Sequence, residues 1–387
     1  MATQSTAPFH LTSDQHAIRE MATSFAADRL APNAIAWDRA HHLPLDVLKE
    51  AATLGLAGIY VREEHGGSGL SRLDAVVIFE ALARGCPAVA AYLSIHNMTA
   101  WMVDQFGSDE QRSTWLPRLC SMEVNGAYCL TEPGAGSDAA ALTTRAVTDG
   151  DEYVIDGVKQ FISGAGVAGL YVVMTRTGGA GAGGVTAVLV PDGVAGLTFG
   201  RREEKLGWNA QPTAAVEFDG VRIPQANRLG DEGAGFRIAM AGLDGGRLNI
   251  AACSLGGAQA ALEKALAYAS EREAFGQPIL RLQTVQFDLA DMATELEAAR
   301  SLLWRAAAAL DAHESGATQL CAMAKRFATD AALAIADRAL QIHGGYGLMS
   351  EYGIEKLVRD LRIHRIVEGT NEIMRVIVAR DLIGASV

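Results

Sequence analysis

The sequence predicts an α+β fold of three parts: an N-terminal α-helical domain over 1–124, a middle antiparallel β-barrel or sandwich domain over 125–235, and a C-terminal four-helix bundle over 236–387. Three observations carry this. Before about residue 122, apolar residues recur at three-four spacing. From Asn125, short β-rich runs are cut by Gly, Asp and Pro. Near Ala234 the helical period returns and persists.

Each element has its own signal. Thr12 and Gln15 have capping-box spacing ahead of AIREMATSFAADRLAP, and Pro32 interrupts that helix. LDVLKEAATLG and LDAVVIFEALARG each carry an apolar face and stop at Gly. AVAAYLSIHNMTAWMVDQFG is apolar nearly all round, which predicts a buried helix. GAYCL, TTRAVT, EYVIDG, LYVVMTRT, GVTAVLV, LTFGRR, TAAVEF and VRIP are spaced like antiparallel strands. GGAGAGG (178–184) contains a G-x-G, but a strand follows it, so it predicts a hairpin loop rather than a dinucleotide fingerprint. Amphipathic segments over 234–271, 281–313, 316–342, 351–366 and 371–383 have short connections, which predicts antiparallel bundle packing.

Composition excludes several classes. The chain has 387 residues, 49% hydrophobic and 20% charged, which suits packed cores rather than disorder. A net charge of −12 without any Lys/Arg block argues against nucleic acid or an anionic membrane surface as the main partner. No apolar run approaches the roughly 18 residues of a membrane span. The start, MATQSTAPFH, lacks the pattern of a secretory or organellar leader. Cysteines 86, 120, 129, 253 and 321 form no C-x-x-C, so they read as buried thiols of a reducing compartment. No metal-ligand cluster, P-loop or G-x-S-x-G elbow is present.

Five stretches hold candidate chemistry. In YCLTEPGAGSD (128–138) a strand runs into a Gly-rich turn, where hydroxyls and bare N–H groups suit a heteroaromatic edge or a phosphate, or simply form a loop. In FISGAG (161–166), Ser163 ends another strand, and two such ends in one β domain suggest a shared pocket. LDGGRLNIA places Gly245 and Gly246 inside a helix, at roughly 1 kcal/mol each relative to Ala, which suggests a close approach or a break. Beside it, SEREAFGQPI carries Arg272, and Arg247 and Arg272 offer forked donors for phosphate or are ordinary surface charges. QIHGGYG ends a helix at Gly344 and Gly345 through a left-handed cap, with His343 a packing residue or a ligand contact. In RIVEGTNEIMR, Val367 should end a helix, Gly369 breaks it, and Thr370 or Asn371 caps the next. Glu368 then projects from the joint, as an exposed linker residue or as a buried carboxylate with raised pKa suited to general-base work.

Taken together and in this order, TEPGAGSD, EREAFGQPI, QIHGGYG and EGTNEIMR resemble the acyl-CoA dehydrogenase family over essentially the whole chain. Residues 66–106, with ISGAG and LVRDLRIHRI, are most similar to the branch acting on isobutyryl-CoA in valine breakdown. The resemblance implies the same three-domain fold, one FAD per subunit, a homotetramer built as a dimer of dimers, and an electron-transfer flavoprotein as acceptor. It implies a cytoplasmic bacterial enzyme, or a mitochondrial-matrix one in a processed eukaryotic form.

The resemblance also implies residue roles. Tyr128, Cys129, Leu130, Thr131, Gly136 and Ser137 would line the flavin, with Phe161, Ile162 and Ser163 beside them. Thr131 and Ser163 would contact its ring. Arg272, Phe275, Leu282 and Gln283 would meet the diphosphate or adenine side, and Gln341, Ile342, His343, Gly344 and Gly345 would reach FAD bound largely to a neighbouring subunit. Thr370, Asn371 and Glu372 would touch the cofactor after the catalytic turn. Ser137, Asp244, Gly245, Gly246, Arg247 and Arg380 would contact the acyl-CoA. Glu368 would remove the α-proton while the flavin takes a β-hydride. Some relatives carry the base on another helix, but no Glu lies near Gly245 or Gly246 here. Val367 departs from the Tyr that straight-chain relatives place before EGT, which fits a branched substrate. The implied reaction is isobutyryl-CoA to methacrylyl-CoA, with 2-methylbutyryl-CoA or another short acyl-CoA as rival substrate. An acyl-CoA oxidase and a non-catalytic assembly protein are the remaining alternatives.

Overall fold

A computed structural model describes residues 10–384. The first nine residues, where most of the leader reading falls, lie outside the described residues.

The chain begins with six helices: α1 (Ser13–Phe25), α2 (Ala34–Ala40), α3 (Leu45–Thr53), α4 (Arg72–Gly85), α5 (Pro87–Phe106) and α6 (Asp109–Cys120). The capping box at α1 forms as the spacing predicts, with Gln15 N donating to Thr12 Oγ1. Ser71 and Ser108 cap α4 and α6 in the same way. Ahead of Pro32, residues Ala26–Leu30 widen into a π-turn before the chain leaves the helix. α5 is buried almost all round.

Eight strands follow: β1 (Gly126–Cys129), β2 (Arg145–Asp149), β3 (Glu152–Ser163), β4 (Leu170–Arg176), β5 (Val185–Pro191), β6 (Leu197–Phe199), β7 (Thr213–Pro224) and β8 (Arg228–Leu229). They form one sheet in the order β6-β7-β3-β2-β4-β5-β8, with β1 added on β4. The sheet is mixed where antiparallel strands alone were expected. β1 runs parallel to β4, and β2 meets β4 in parallel at Arg145 and Arg176. A parallel pair needs a long crossover, and the excursion through the β2–β3 hairpin supplies it without a helix.

The runs TAAVEF and VRIP are one strand, β7. Asp219 and Gly220 form a bulge where a break was expected, and Gly220 takes the positive φ of +60° that it needs. A second bulge interrupts β3 between Lys159 and Ile162. It places Phe161 at φ +60° and turns its ring outward, 62% exposed.

Helix α7 (Gly235–Glu271) then crosses the molecule, about 55 Å long at 1.5 Å per residue. A small hairpin, β9 (Glu273–Ala274) with β10 (Gln277–Pro278), leads into α8 (Gln283–Asp311). α9 (Ala317–His343), α10 (Ile354–His364) and α11 (Asn371–Ile383) complete the chain. α7 packs on α8, α9 and α10, and also on α4 and α5 of the first helical region. One hydrophobic cluster therefore runs through both helical regions, while two smaller clusters serve the sheet. The middle of α7 is buried throughout from Gly245 to Ala258.

Candidate active site

The turn between α10 and α11 is sharper than its periodicity suggests. α10 ends at His364, three residues before Val367. Glu368 takes a left-handed φ of +55°, which is strained for a residue with a side chain, and Gly369 follows at +92°. Thr370 caps α11, accepting from Ile373 N at 3.3 Å. Ile366 is 54% exposed and gives Glu368 no apolar cover. Cover comes from α7. A Cβ placed on Gly246 would lie 2.4 Å from Glu368 Oε2. Oε2 is buried without a hydrogen-bond partner. Burial raises this carboxyl to about 7, against the pull of Arg247 and Lys325. The linker alternative is thereby set aside, because an exposed linker carboxyl would have water.

The glycine pair on α7 is a close approach, not a break. Gly246 makes room for the Glu368 carboxyl, and Gly245 for a second side chain: a Cβ there would lie 2.4 Å from Arg72 Nη1. Arg247, one residue on, donates to Asp244 Oδ1 at 2.6 Å, and Thr318 holds Asp244 Oδ2 at 2.7 Å. Its Nε is buried and unpartnered. Thr318 lines an open groove of about 610 Å³ whose rim carries Gln319, Ile377 and Arg380. Thr318 thus joins the groove wall, which also carries Arg380, to the Asp244–Arg247 pair.

The two strand ends also meet. Gln160 N, within the β3 bulge, donates to Thr131 O at 2.8 Å. Tyr128 is half-buried, and its hydroxyl is buried without a partner. Burial first, and the Glu368 carboxylate second, push that phenol well up. Cys129, Leu130 and Ile162 are buried in the sheet and offer only backbone to a ligand. Thr131 and Ser163 are half-buried, and Gly136 and Ser137 are exposed on the turn. Among the described residues, nothing beyond the chain neighbours lies within 4 Å of a Cβ built on Gly134 or Gly136. The turn itself is rigid beneath. Glu132 accepts from Thr143 N, Thr144 N and Lys159 Nζ, and Lys159 also donates to Leu130 O. Burial would raise Glu132, but Lys159 and these donors outweigh it and bring the carboxyl down to about 2.

The remaining candidates form a separate group. His343 stacks on Tyr268 with centroids 4.5 Å apart and bonds Ala339 O at 2.7 Å, so it is a packed residue here. Gly344 ends α9 at φ +58° and ψ −137°, a conformation reserved for Gly but not the left-handed cap expected. Gln341 and Gly345 are exposed, and Ile342 is half-buried. Arg272 lies over the Tyr346 ring at 5.6 Å, and Phe275 is 90% exposed at φ +53°. Leu282 and Gln283 open α8. From Gly246 to Arg272 along α7 is about 39 Å. Glu372 is exposed in the first turn of α11, and Asn371 is buried, bonded to Thr329 and Asp330.

Sequence reasoning missed two charged groups. Arg72 is buried over the rings of Tyr60 (3.9 Å) and Trp101 (4.7 Å), with no salt bridge among the described residues. Lys325 has no exposed surface and donates to the Glu368 turn. Each stands on the apolar stripe of its helix, where Arg72 aligns with Ala75, Val76 and Phe79, and Lys325 with Cys321, Ala328 and Ala332. A charge on such a stripe was the available signal.

Three consecutive family models match: the acyl-CoA dehydrogenase N-terminal domain over residues 12–123, the middle domain over 127–221 and the C-terminal domain over 233–383. The chain is 51% identical over 373 residues to the mitochondrial isobutyryl-CoA dehydrogenase of Bos taurus, covering 96% of this chain and 90% of that protein. The protein of the same name from Dictyostelium discoideum gives the same identity and coverage. Among solved structures, butyryl-CoA dehydrogenase from Megasphaera elsdenii superposes with a TM-score of 0.94 at 37% identity, covering 97% of this chain and 100% of that one. Matched in all three parts and across nearly its whole length, this chain belongs to the acyl-CoA dehydrogenase family of flavin-dependent enzymes.

Proposed function

We propose that the protein oxidises isobutyryl-CoA to methacrylyl-CoA, with Glu368 as the base. The observation that carries this is the buried, unpartnered Oε2 of Glu368 against Gly246, on a carboxyl raised to about 7. A base tuned near operating pH accepts a proton efficiently, and one shielded from water spends no hydrogen bond before substrate arrives. The 51% identity to two isobutyryl-CoA dehydrogenases favours the branched acyl group over the straight chain of the butyryl enzyme at 37%.

FAD fits the residues present. Tyr128 and Arg247 each hold a buried, unpartnered polar atom and each interacts electrostatically with Glu368, and the Thr131 and Ser163 strand ends would lie along the flavin. When bound, FAD supplies the two-electron acceptor for the hydride leaving the β-carbon. The protein's part is to orient and to exclude water. The Glu368 carboxyl takes the α-proton, and donors aimed at the thioester oxygen, among them the Glu368 backbone N–H, stabilise the charge that develops. The Asp244–Arg247 pair and Arg380 along the open groove would meet the CoA portion.

The 39 Å between Gly246 and Arg272 is too far for both groups to serve one flavin within a chain. This supports a homo-oligomer, here a tetramer, in which Arg272, Phe275, Gln283 and the 341–345 turn serve a neighbour's FAD. An electron-transfer flavoprotein would take the electrons onward.

Anaerobic flavin bleaching with isobutyryl-, 2-methylbutyryl- and butyryl-CoA tests the reading. Isobutyryl-CoA should bleach the flavin with the highest second-order rate constant. Butyryl-CoA ahead of it would sink the substrate assignment, and in a separate aerobic turnover assay peroxide formation in place of acceptor reduction would make the enzyme an oxidase.

A further inference from the structure

We propose that Lys325 is the positioning residue of the base: it clamps the turn that carries Glu368, and its charge favours the ionised form of that carboxyl before substrate arrives. The inference rests on Glu368 being the base.

Three observations carry it. The Lys325 ammonium is wholly buried yet makes no salt bridge among the described residues. A buried cation is costly unless something compensates it. Its hydrogen bonds go to one place: Nζ donates to Gly369 O at 2.7 Å and to Asn371 Oδ1 at 3.0 Å. These two acceptors bracket Thr370, so one ammonium grips both sides of the residue that caps α11. The anchorage extends through Asn371, whose amide donates to Thr329 Oγ1 at 3.0 Å and to Asp330 Oδ1 at 2.9 Å. Finally, the gripped turn contains Glu368 in its left-handed conformation, a strain that the surroundings must hold in place.

Charges around the pair assign the second role. Glu368 faces Arg247 and Gly246 from α7, Tyr128 from β1, Tyr60 from the loop before α4, and Lys325 from α9. Lys325 faces Glu368 and Glu372 beyond the turn, Arg247 across on α7, and Asp330 on its own helix. Asp330 is engaged elsewhere, by Arg365 at 2.7 Å, and Glu372 points to solvent. Glu368 is thus the main carboxylate left to balance the buried ammonium. Burial brings Lys325 down to about 7 while the attraction of Glu368 holds it up. Arg247 exerts the larger pull on Glu368 but has Asp244 as its own ion partner, whereas Lys325, bonded to the turn itself, has no ion partner among the described residues.

The test is an infrared titration of the Glu368 carboxylic-acid band in holoenzyme, assigned by its loss in Glu368→Gln. It reads the base without any substrate. Lys325→Met removes charge and hydrogen bonds; Lys325→Gln keeps a donor for Gly369 O but no charge. Both are expected to raise the Glu368 midpoint by about one pH unit, about a fivefold smaller ionised fraction at neutral pH. The acid limb of the bleaching rate should move with it, while flavin content and acyl-CoA affinity stay within about twofold. An unmoved midpoint in either flavin-retaining variant overturns the proposal, and so does a normal midpoint in Lys325→Gln alone. Should neither variant fold, Lys325→Arg, which keeps charge and donors, must show the wild-type midpoint; a raised one overturns the proposal. Failure of wild-type enzyme to bleach with any acyl-CoA would refute the proposed function while leaving this titration intact.

Discussion

A single carboxyl sets the pH behaviour expected of this enzyme. Glu368 is raised from 4.5 to about 7, so the folded protein holds that proton more tightly than the unfolded chain does. The resulting penalty on folding is absent below about pH 4.5, grows as pH rises toward 7 and is complete above it. Glu368→Gln should therefore be more stable than wild type at pH 8, by on the order of 3 kcal/mol, and match it near pH 4. The same variant should bind acyl-CoA and leave the flavin unbleached. In wild type, the bleaching rate should climb through pH 7 as the carboxyl ionises. Glu368 was legible because EGT is a short motif with a breaker in it. Its burial was not, since the cover comes from Gly246, distant in sequence. Lys325 and Arg72 escaped because a single charge on an apolar stripe looks like an ordinary interruption of the period.

At the scale of elements, α7 and the β1–β2 loop do the positioning. Gly246→Ala should cost on the order of 10²-fold in kcat, because its Cβ would come within 2.4 Å of Oε2 and displace the base by about an ångström. Steady-state kinetics with the flavin still bound would check it; unchanged kcat would mean that Glu368 is not held where it sits. Lys159→Met would leave Glu132 buried without its cation, at about 3–5 kcal/mol. Weaker FAD retention and a lower Tm are expected, and wild-type values of both would show the loop to be held otherwise. Helix positions were legible from period and caps, as Thr12 and Gln15 illustrate. The parallel β1–β4 pair was not, because hydrophobic alternation is silent on strand direction. Nor were the bulges at Phe161 and Gly220, since the sequence runs DG and KQF read equally well as breaks.

For the molecule as a whole, the change of texture near 125 and 234 made the three-part architecture readable. How the parts face one another was not, because that depends on which residues of α7 meet each neighbour. Most exposed large hydrophobics lie from α7 onward, including Phe275 at 90%, Leu348 at 64% and Leu382 at 72%. Such surface is costly to leave in water, at roughly 25 cal/mol per Å². Sedimentation should accordingly show an oligomer at micromolar concentration, and Phe275→Asp should weaken both assembly and FAD retention. A monodisperse monomer that keeps its flavin would refute the shared-cofactor arrangement.

The five cysteines gain a meaning from the product proposed here. An α,β-unsaturated thioester is an electrophile that adds to thiolates. All five thiols are buried, and burial holds Cys120 at about 11 and both Cys129 and Cys321 at about 12, with Cys86 and Cys253 also raised. The nucleophilic form is scarce at every one of them. Cys321, on α9, feels the charges of Asp244 and Arg247. A protein built this way can accumulate its own alkylating product without being alkylated by it.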